Sequence, residues 1–202
     1  ARCERAGWAH RQEDVIVWLQ QIAQTTVPYW EVPLAETRQC VPEMEFWFPA
    51  DAFSVAELDS LSQQTVWPEL ARPALADSAV KGMLRGFMDL VVEHDGRYWV
   101  MDYKSNALGS NDDAYRESAL QQAMLQHRYE VQGMLYLLAL HRLLKLRLGD
   151  DYDPQQHLGG AVFYFLRGVA NPDTAGCVLL APDSAWMDQL EMMLSCANEE
   201  MV

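Results

Sequence analysis

The chain has 202 residues, of which 50% are hydrophobic and 22% are charged, as in globular proteins that bury a core. This composition excludes disordered, collagen-like and coiled-coil chains, and no apolar run is long enough to cross a bilayer. The net charge of −14 argues against a nonspecific nucleic-acid coat. However, positions 81–147 hold nine basic and eight acidic residues, so a polyanion would bind there. The acidic flanks alternatively serve only solubility.

The ends of the chain and its cysteines bear on its origin. The sequence opens with Ala1 and a polar stretch rather than with Met or a signal peptide, so we expect a fragment of a longer protein. The four cysteines are scattered, which argues against zinc and iron–sulfur sites. Sparse cysteines without a signal peptide favour a reducing cytoplasm.

The first third of the chain contains one clear helix and one clear strand. Residues 13–24 have apolar side chains at helical spacing, which predicts an amphipathic helix. Residues 43–48 alternate glutamates with methionine and phenylalanine, which predicts a strand ended by Pro49. Residues 50–79 contain two prolines and indicate a weak helix and a loop.

A hairpin is the clearest element. Two apolar runs within residues 84–105 flank Asp95 and Gly96, and an Asp-Gly pair suits a type I′ turn, which needs positive φ at both centres. Beyond a polar loop, residues 115–148 predict one long helix that is apolar on most sides in its second half.

The remaining elements are two strands, at 161–169 and 177–181, and a final amphipathic helix at 183–198. The order of helices and strands indicates an α/β or α+β domain around a mixed sheet.

The hairpin register brings acidic residues together. A two-residue turn places Asp89 opposite Asp102, with Lys104 on the same face and the Tyr103 side chain on the other. Facing carboxylates repel each other, and a divalent cation would remove the conflict. Alternatively, the three charged groups form an ordinary surface salt-bridge cluster, although the apolar residues around them favour a function.

Carboxylate oxygens suit magnesium, which keeps waters and binds substrate phosphate. Lys104 beside it could orient a water or stabilise negative charge in the transition state. On the long helix, Gln132 and Tyr136 share a face and could bond a phosphate or the Lys104 amine. Their alternative role is to satisfy each other's hydrogen bonds within the core.

Three spaced motifs together resemble the RecB-type branch of the PD-(D/E)XK nucleases, and most closely the C-terminal nuclease domains of RecB (beta) subunits of exodeoxyribonuclease V. The motifs are Gly86-Phe-Met-Asp89, Asp102-Tyr-Lys104 and Gln132-Gly-Met-Leu-Tyr136. The resemblance implies an α/β fold with a mixed central sheet flanked by helices, and one such domain over residues 1–202.

The resemblance also implies roles for individual residues. Asp89, Asp102 and the Tyr103 carbonyl would bind Mg²⁺, Lys104 would be the catalytic lysine, and Gln132 with Tyr136 would support it.

The activity implied is Mg²⁺-dependent hydrolysis of single- and double-stranded DNA ends in double-strand-break repair and recombination. Within a longer helicase–nuclease, other domains would unwind DNA with ATP. RecC-like and RecD-like subunits and a RecA-like recombinase would be partners, with no membrane involved.

One family feature is missing from the sequence. The metal-binding histidine of a Gly-x-x-x-His-x-x-x-Glu helix has no counterpart, because His10 and Asp14 have a similar spacing but the glycine and the flanking residues do not match. We expect that motif to lie upstream. Two alternatives therefore stand: a non-catalytic protein-interaction module that docks RecA, and an endonuclease of restriction type.

Overall fold

The computed structural model describes residues 2–5, 7–49, 53–76, 79–80 and 83–195. Its α-helices are α1 (Arg2–Arg5), α2 (Gln12–Gln24), α3 (Val55–Thr65), α4 (Glu117–Gln126), α5 (Tyr129–Leu148), α6 (Pro154–His157) and α7 (Ser184–Ser195). Its strands are β1 (Gln39–Pro49), β2 (Phe53–Ser54), β3 (Ala79–Val80), β4 (Met83–His94), β5 (Arg97–Lys104), β6 (Leu158–Phe165) and β7 (Cys177–Leu180).

The central sheet has five strands in the order β1-β4-β5-β6-β7. All neighbours are antiparallel except β5 and β6, which run parallel and are joined through α4, α5 and α6. A parallel neighbour requires such a crossover, because the chain must return to the same end of the sheet. The expected mixed sheet with flanking helices is confirmed.

The central strands of the sheet are covered on both faces, whereas Val41, Trp47 and Phe87 on β1 and β4 are about half exposed. One face packs against α3, α4, α5 and α7, and the other packs against the end of α2 and the segment that follows it. Strand β6 is buried at every position, as expected for a strand covered on both faces. Strand β5 lies next to it, so any charged residue of β5 beyond the turn enters an apolar layer.

The predicted helix over 115–148 is wrong as one continuous element. The structure has α4 and α5, separated by His127 and Arg128. Arg128 has a left-handed backbone, with φ of 56°, and its guanidinium donates hydrogen bonds to the Pro73 carbonyl and the Ser62 hydroxyl, each at 2.8 Å. These bonds offset the strain of a left-handed non-glycine residue.

The other predicted elements hold within the described residues. The first helix, the strand over 43–48, the strand over 177–181 and the final helix to residue 195 are confirmed, while 196–198 lie outside the described residues. The strand predicted over 161–169 is correct only as far as Phe165, because residues 166–168 form a short 3-10 helix. The helix within 50–79 is α3, and 50–52 and 77–78 are not described. Among the helices described, none is both long and apolar enough to span a membrane.

Candidate active site

The β4–β5 turn has the predicted form. Asp95 and Gly96 both have positive φ, 50° and 76°, and the ladder pairs the strands in the predicted register, from His94 opposite Arg97 to Leu90 opposite Met101. The ladder stops there, one step before the two aspartates. Beyond this point the two strands are held together by a side chain.

That side chain belongs to Asp89. Its Oδ2 accepts a hydrogen bond of 2.8 Å from the backbone N–H of Tyr103 on β5. Asp89 thus reaches across to the strand that carries Asp102. The two carboxylates predicted to meet are neighbours, although they are not a ladder pair.

Strand β5 points Asp102 and Lys104 into the layer beneath α5. Both are buried, with exposed fractions of 4% and 9%, and Lys104 Nζ lies 2.6 Å from Asp102 Oδ2. Tyr103 between them packs on the opposite face, 6.4 Å from the Tyr164 ring, as predicted. Two opposite charges in an apolar layer need further polar partners.

Helix α5 supplies those partners. Lys104 Nζ donates to Gln132 Oε1 at 2.8 Å, and Gln132 Nε2 donates to the Tyr136 hydroxyl at 2.5 Å. Tyr136 in turn donates to Asp102 Oδ1 at 3.0 Å. The four side chains form a closed circuit, which we call the lysine ring. Gln132 and Tyr136 thus contact both each other and the β5 residues that the sequence singled out.

The lysine ring lies in a region with surplus negative charge. Burial raises the pKa of Asp102, and the nearby Asp89 carboxylate raises it further, while Lys104 and Tyr136 act in the opposite direction. Burial and the Asp102 carboxylate also raise the pKa of Tyr136, so its phenol stays a neutral donor. Two carboxylates share one ammonium, which favours an additional cation.

Sequence reasoning missed Tyr129. The Lys104 ammonium lies 3.7 Å from the centre of the Tyr129 ring and 5.4 Å from that of Phe163. Such cation–π contacts hold an ammonium without neutralising it. The residue could have been found by periodicity, because Tyr129 precedes Gln132 by three positions and Tyr136 by seven.

A second buried polar group holds the start of α5. It comprises Asp59 from α3, Arg72 from the loop after α3, and Arg128 and Glu130 beside α5, and we call it the arginine cluster. Arg128 lies 2.6 Å from Asp59 and 2.7 Å from Glu130, while Arg72 lies 3.7 Å from Glu130. Arg72 also donates to the carbonyl groups of Ser62, Val66 and Trp67.

The arginine cluster is balanced in charge, although Glu130 Oε2 makes no hydrogen bond. Burial raises the pKa of Asp59, but hydrogen bonds from Gln63 and Arg128 outweigh it, so the pKa is lowered overall. This group fixes Tyr129 and Gln132 by holding the residues on either side of Tyr129.

Two carboxylates are the acidic side chains available to a metal ion at this site. In the described part of the chain, no group of three or more His, Cys, Asp and Glu side chains is placed to hold a metal ion. Asp89 and Asp102 are two, and magnesium is commonly bound by one or two carboxylates plus waters and phosphate. Burial is the main cause of the raised pKa of Asp102, and a cation would relieve the smaller part that comes from repulsion by Asp89. The residues present therefore fit a hydrated magnesium ion.

The other acidic and histidine candidates lie elsewhere. Asp14 pairs with Arg11 at 2.5 Å at the exposed start of α2, beside His10. Glu45 pairs with Arg85 on the outer face of β1 and β4, and Glu43 is exposed. Within the described residues, none of these four side chains contacts the lysine ring.

Comparisons with known proteins give a consistent result. The family model of the PD-(D/E)XK nuclease superfamily matches residues 8–201. RecBCD enzyme subunit RecB of Escherichia coli (strain K12) is 40% identical over 172 residues, which are 83% of this chain and 14% of that protein. The RecB subunits of Haemophilus influenzae and of Buchnera aphidicola subsp. Schizaphis graminum are 33% and 28% identical over 179 and 190 residues. Those matches cover 86% and 93% of this chain, and 14% and 16% of the relatives.

Proposed function

The chain belongs to the PD-(D/E)XK nuclease superfamily and is homologous to part of RecB over most of its length, and from this we propose that it is a Mg²⁺-dependent DNA exonuclease domain. Membership indicates phosphodiester hydrolysis, and the superfamily is typically metal-dependent. The observation that carries the proposal is the lysine ring beside Asp89: a buried ammonium and two crowded carboxylates where strands β4 and β5 separate.

Each side chain has a proposed task. Asp89, Asp102 and the Tyr103 carbonyl would hold Mg²⁺, which when bound polarises a phosphoryl oxygen and lowers the pKa of a coordinated water. Lys104 would orient the attacking water and stabilise negative charge on the phosphoryl group. Gln132 would hold the ammonium by its Oε1, and Tyr136 would hold Asp102 by its hydroxyl. Preorganisation of this kind reduces rearrangement during the reaction.

The wider setting is also proposed from homology. The chain spans only 14–16% of the length of the relatives described above. We infer that it acts in the cytoplasm as part of a RecBCD-like helicase–nuclease in double-strand-break repair. Its substrates would be single- and double-stranded DNA ends, and its partners would be RecC-like and RecD-like subunits and a RecA-like recombinase.

One observation favours the alternative of a non-catalytic interaction module that docks RecA. Only two acidic side chains meet beside the lysine ring, and the described residues contain no third ligating side chain there. A site with two carboxylates is nevertheless sufficient for magnesium, which accepts water and phosphate as its remaining ligands. We therefore propose the exonuclease rather than the interaction module, and a nuclease assay distinguishes these two functions.

The test is release of nucleotides from end-labelled single-stranded DNA with Mg²⁺ or Mn²⁺ and with a chelator. Asp102→Ala and Lys104→Ala should each lower kcat by about 100-fold or more, as loss of a charge-stabilising group does. Lys145→Ala is the matched control, because Lys145 is an exposed lysine on α5. Unchanged hydrolysis in both site variants contradicts the assignment, and no hydrolysis by the unaltered chain favours the interaction module.

A circular substrate distinguishes an exonuclease from an endonuclease on the same fold. A closed circular single strand has no ends, so an exonuclease should leave it intact while degrading the linear form. Cleavage of the circle at a comparable rate would replace the exonuclease with an endonuclease.

A further inference from the structure

A cleft of about 580 Å³ lies on the surface ahead of the start of α5. Its walls are the loop that follows β5 and the outer surface of α4, and its polar lining includes Arg116, Gln122, Gln126 and His127. The volume lies within the range of sites that hold small ligands. Nothing in the proposed roles of the lysine ring uses this cleft.

His127 connects the cleft to the lysine ring through a stack of aromatic side chains. Its imidazole lies parallel to the Tyr129 ring, with centres 5.2 Å apart and an angle of 20°. Tyr129 stacks in turn on Phe163 at 6.2 Å and 10°, and Lys104 lies against Tyr129. His127 therefore stacks on Tyr129, whose ring contacts the Lys104 ammonium, and it also lines the cleft.

Hydrogen bonds set the orientation of His127. The Tyr129 hydroxyl donates to Asn106 Oδ1 at 3.4 Å, so the Asn106 amide points its Nδ2 toward His127 Nε2, at 3.2 Å. Because Nε2 accepts this bond, the ring hydrogen of the neutral imidazole is on Nδ1. Among the described residues, Nδ1 has no partner. Asn106 thus prepares an N–H donor on a side chain that lines the cleft.

Arg116 supplies a second donor. Its Nε donates to Ser118 Oγ at 3.1 Å, and within the described chain its terminal nitrogens make no other hydrogen bond. One carboxylate, that of Asp113, also lines the cleft. Arginine and imidazole N–H groups are common partners of nucleic-acid phosphates, and the glutamines can bond base edges.

We propose that this cleft is a subsite for single-stranded DNA, where His127 Nδ1 and Arg116 bind the phosphate of the nucleotide next to the scissile bond. The proposal rests on the proposed function and extends it from one phosphate to the strand. Asn106 is a positioning residue, because it acts through His127. Lys104 on one side, and His127 with Arg116 on the other, would then bind two successive phosphates of one DNA strand.

The decisive variant is His127→Phe, which keeps the stack on Tyr129 and removes the donor. Its kcat/KM is compared on an oligothymidylate and on thymidine 5′-(p-nitrophenyl phosphate), which has no neighbouring phosphodiester. We expect kcat/KM for the oligonucleotide to fall about 10-fold or more through KM, the usual effect of losing a hydrogen bond to a charged group. The fall on the small substrate should be several-fold less.

His94→Phe is the matched control, because His94 lies beside the β4–β5 turn and pairs there with Asp95, so we expect kcat/KM for both substrates to stay unchanged. A second variant, Arg116→Gln, should lower the slope of log affinity against log salt concentration by about 0.7, as for one phosphate contact on a single strand. Asn106→Ala should weaken oligonucleotide binding less than His127→Phe does. Thermal melting confirms that each variant is folded.

Equal losses on both substrates, or an unchanged KM for the oligonucleotide, would overturn the subsite. A failure of the proposed function gives a different result, in which the unaltered chain hydrolyses neither substrate. In that case anisotropy of a labelled oligothymidylate in a chelator still tests the cleft. Binding weakened by His127→Phe supports it, and binding equal to that of the unaltered chain contradicts it.

Discussion

The lysine ring and the arginine cluster are both buried polar groups at the first half of α5, but they differ in charge balance. The arginine cluster pairs two arginines with two acids, and the pKa of its Asp59 is lowered. The lysine ring and Asp89 combine one lysine with two acids, and the pKa of Asp102 is raised. The balanced charges of the arginine cluster stabilise the fold. The lysine ring and Asp89 instead retain one excess negative charge, which a metal cation would neutralise.

The largest expected effect is the loss of Arg72. Arg72→Met leaves Glu130 with one fewer cation and removes the guanidinium donor from four carbonyl groups, so we expect the free energy of unfolding to fall by about 3–5 kcal/mol. Urea or guanidinium denaturation measures it. The matched control is Arg11→Met, which breaks an exposed pair worth less than about 1 kcal/mol. A similar small loss for both variants would mean that the arginine cluster is not a structural clamp.

Matched aspartate-to-asparagine changes should act in opposite directions. Asp59→Asn loses an ion pair with Arg128 and should destabilise the fold by about 2–3 kcal/mol. Asp89→Asn can still accept from the Tyr103 amide and no longer repels Asp102, so stability without metal should be unchanged or rise by up to about 1 kcal/mol. Denaturation in a chelator compares them. Destabilisation of equal size would contradict the charge-surplus interpretation of the site.

Magnesium should stabilise the folded chain through the crowded carboxylates. At a free concentration ten times its Kd, the ion adds about 1.4 kcal/mol to the free energy of unfolding. Thermal melting with Mg²⁺ and with a chelator measures the gain. Asp89→Asn should abolish it, whereas Asp188→Asn, an exposed site on α7, should keep it. A gain that survives Asp89→Asn would place the ion elsewhere.

The smallest effect concerns acid stability. Because the pKa of Asp59 is lowered by folding, its contribution is present above the ordinary carboxyl pKa of 3.8 and is lost as the pH falls through the folded value. Asp59→Asn lacks that contribution at every pH. The stability difference between the two proteins should therefore narrow below pH 3.8 in urea titrations, and a constant difference would contradict the lowered pKa.

The sequence predicted the hairpin site better than its surroundings. The Asp95-Gly96 turn fixes the register by local chemistry alone, and the alternation along β5 places Asp102 and Lys104 on one face. The break before α5 was not predictable in this way, because left-handed Arg128 is stabilised by partners on α3 and in the loop after it. Local propensity carries no information about such distant contacts.

The periodicity of α2 likewise could not predict how exposed its apolar residues are. Its spacing correctly predicted a helix, yet Ile16 and Leu19 are about half exposed and only Ile22 is buried. A pattern identifies an apolar stripe without identifying what covers it. The same limit applies to Tyr129, whose contact with Lys104 depends on how α5 lies over the sheet.

The parallel pairing of β5 with β6 has a consequence for biosynthesis. Lys104 aligns with Phe165, so the strand that carries the ammonium gains its second neighbour only after some sixty further residues have left the ribosome. Gln132 and Tyr136 are also translated after Lys104, although before β6. A nascent or truncated chain that ends before β6 therefore has the acidic hairpin and α5 but lacks Phe163 and the strand that pairs with β5. The lysine ring therefore reaches its final surroundings only after most of the described chain has been translated.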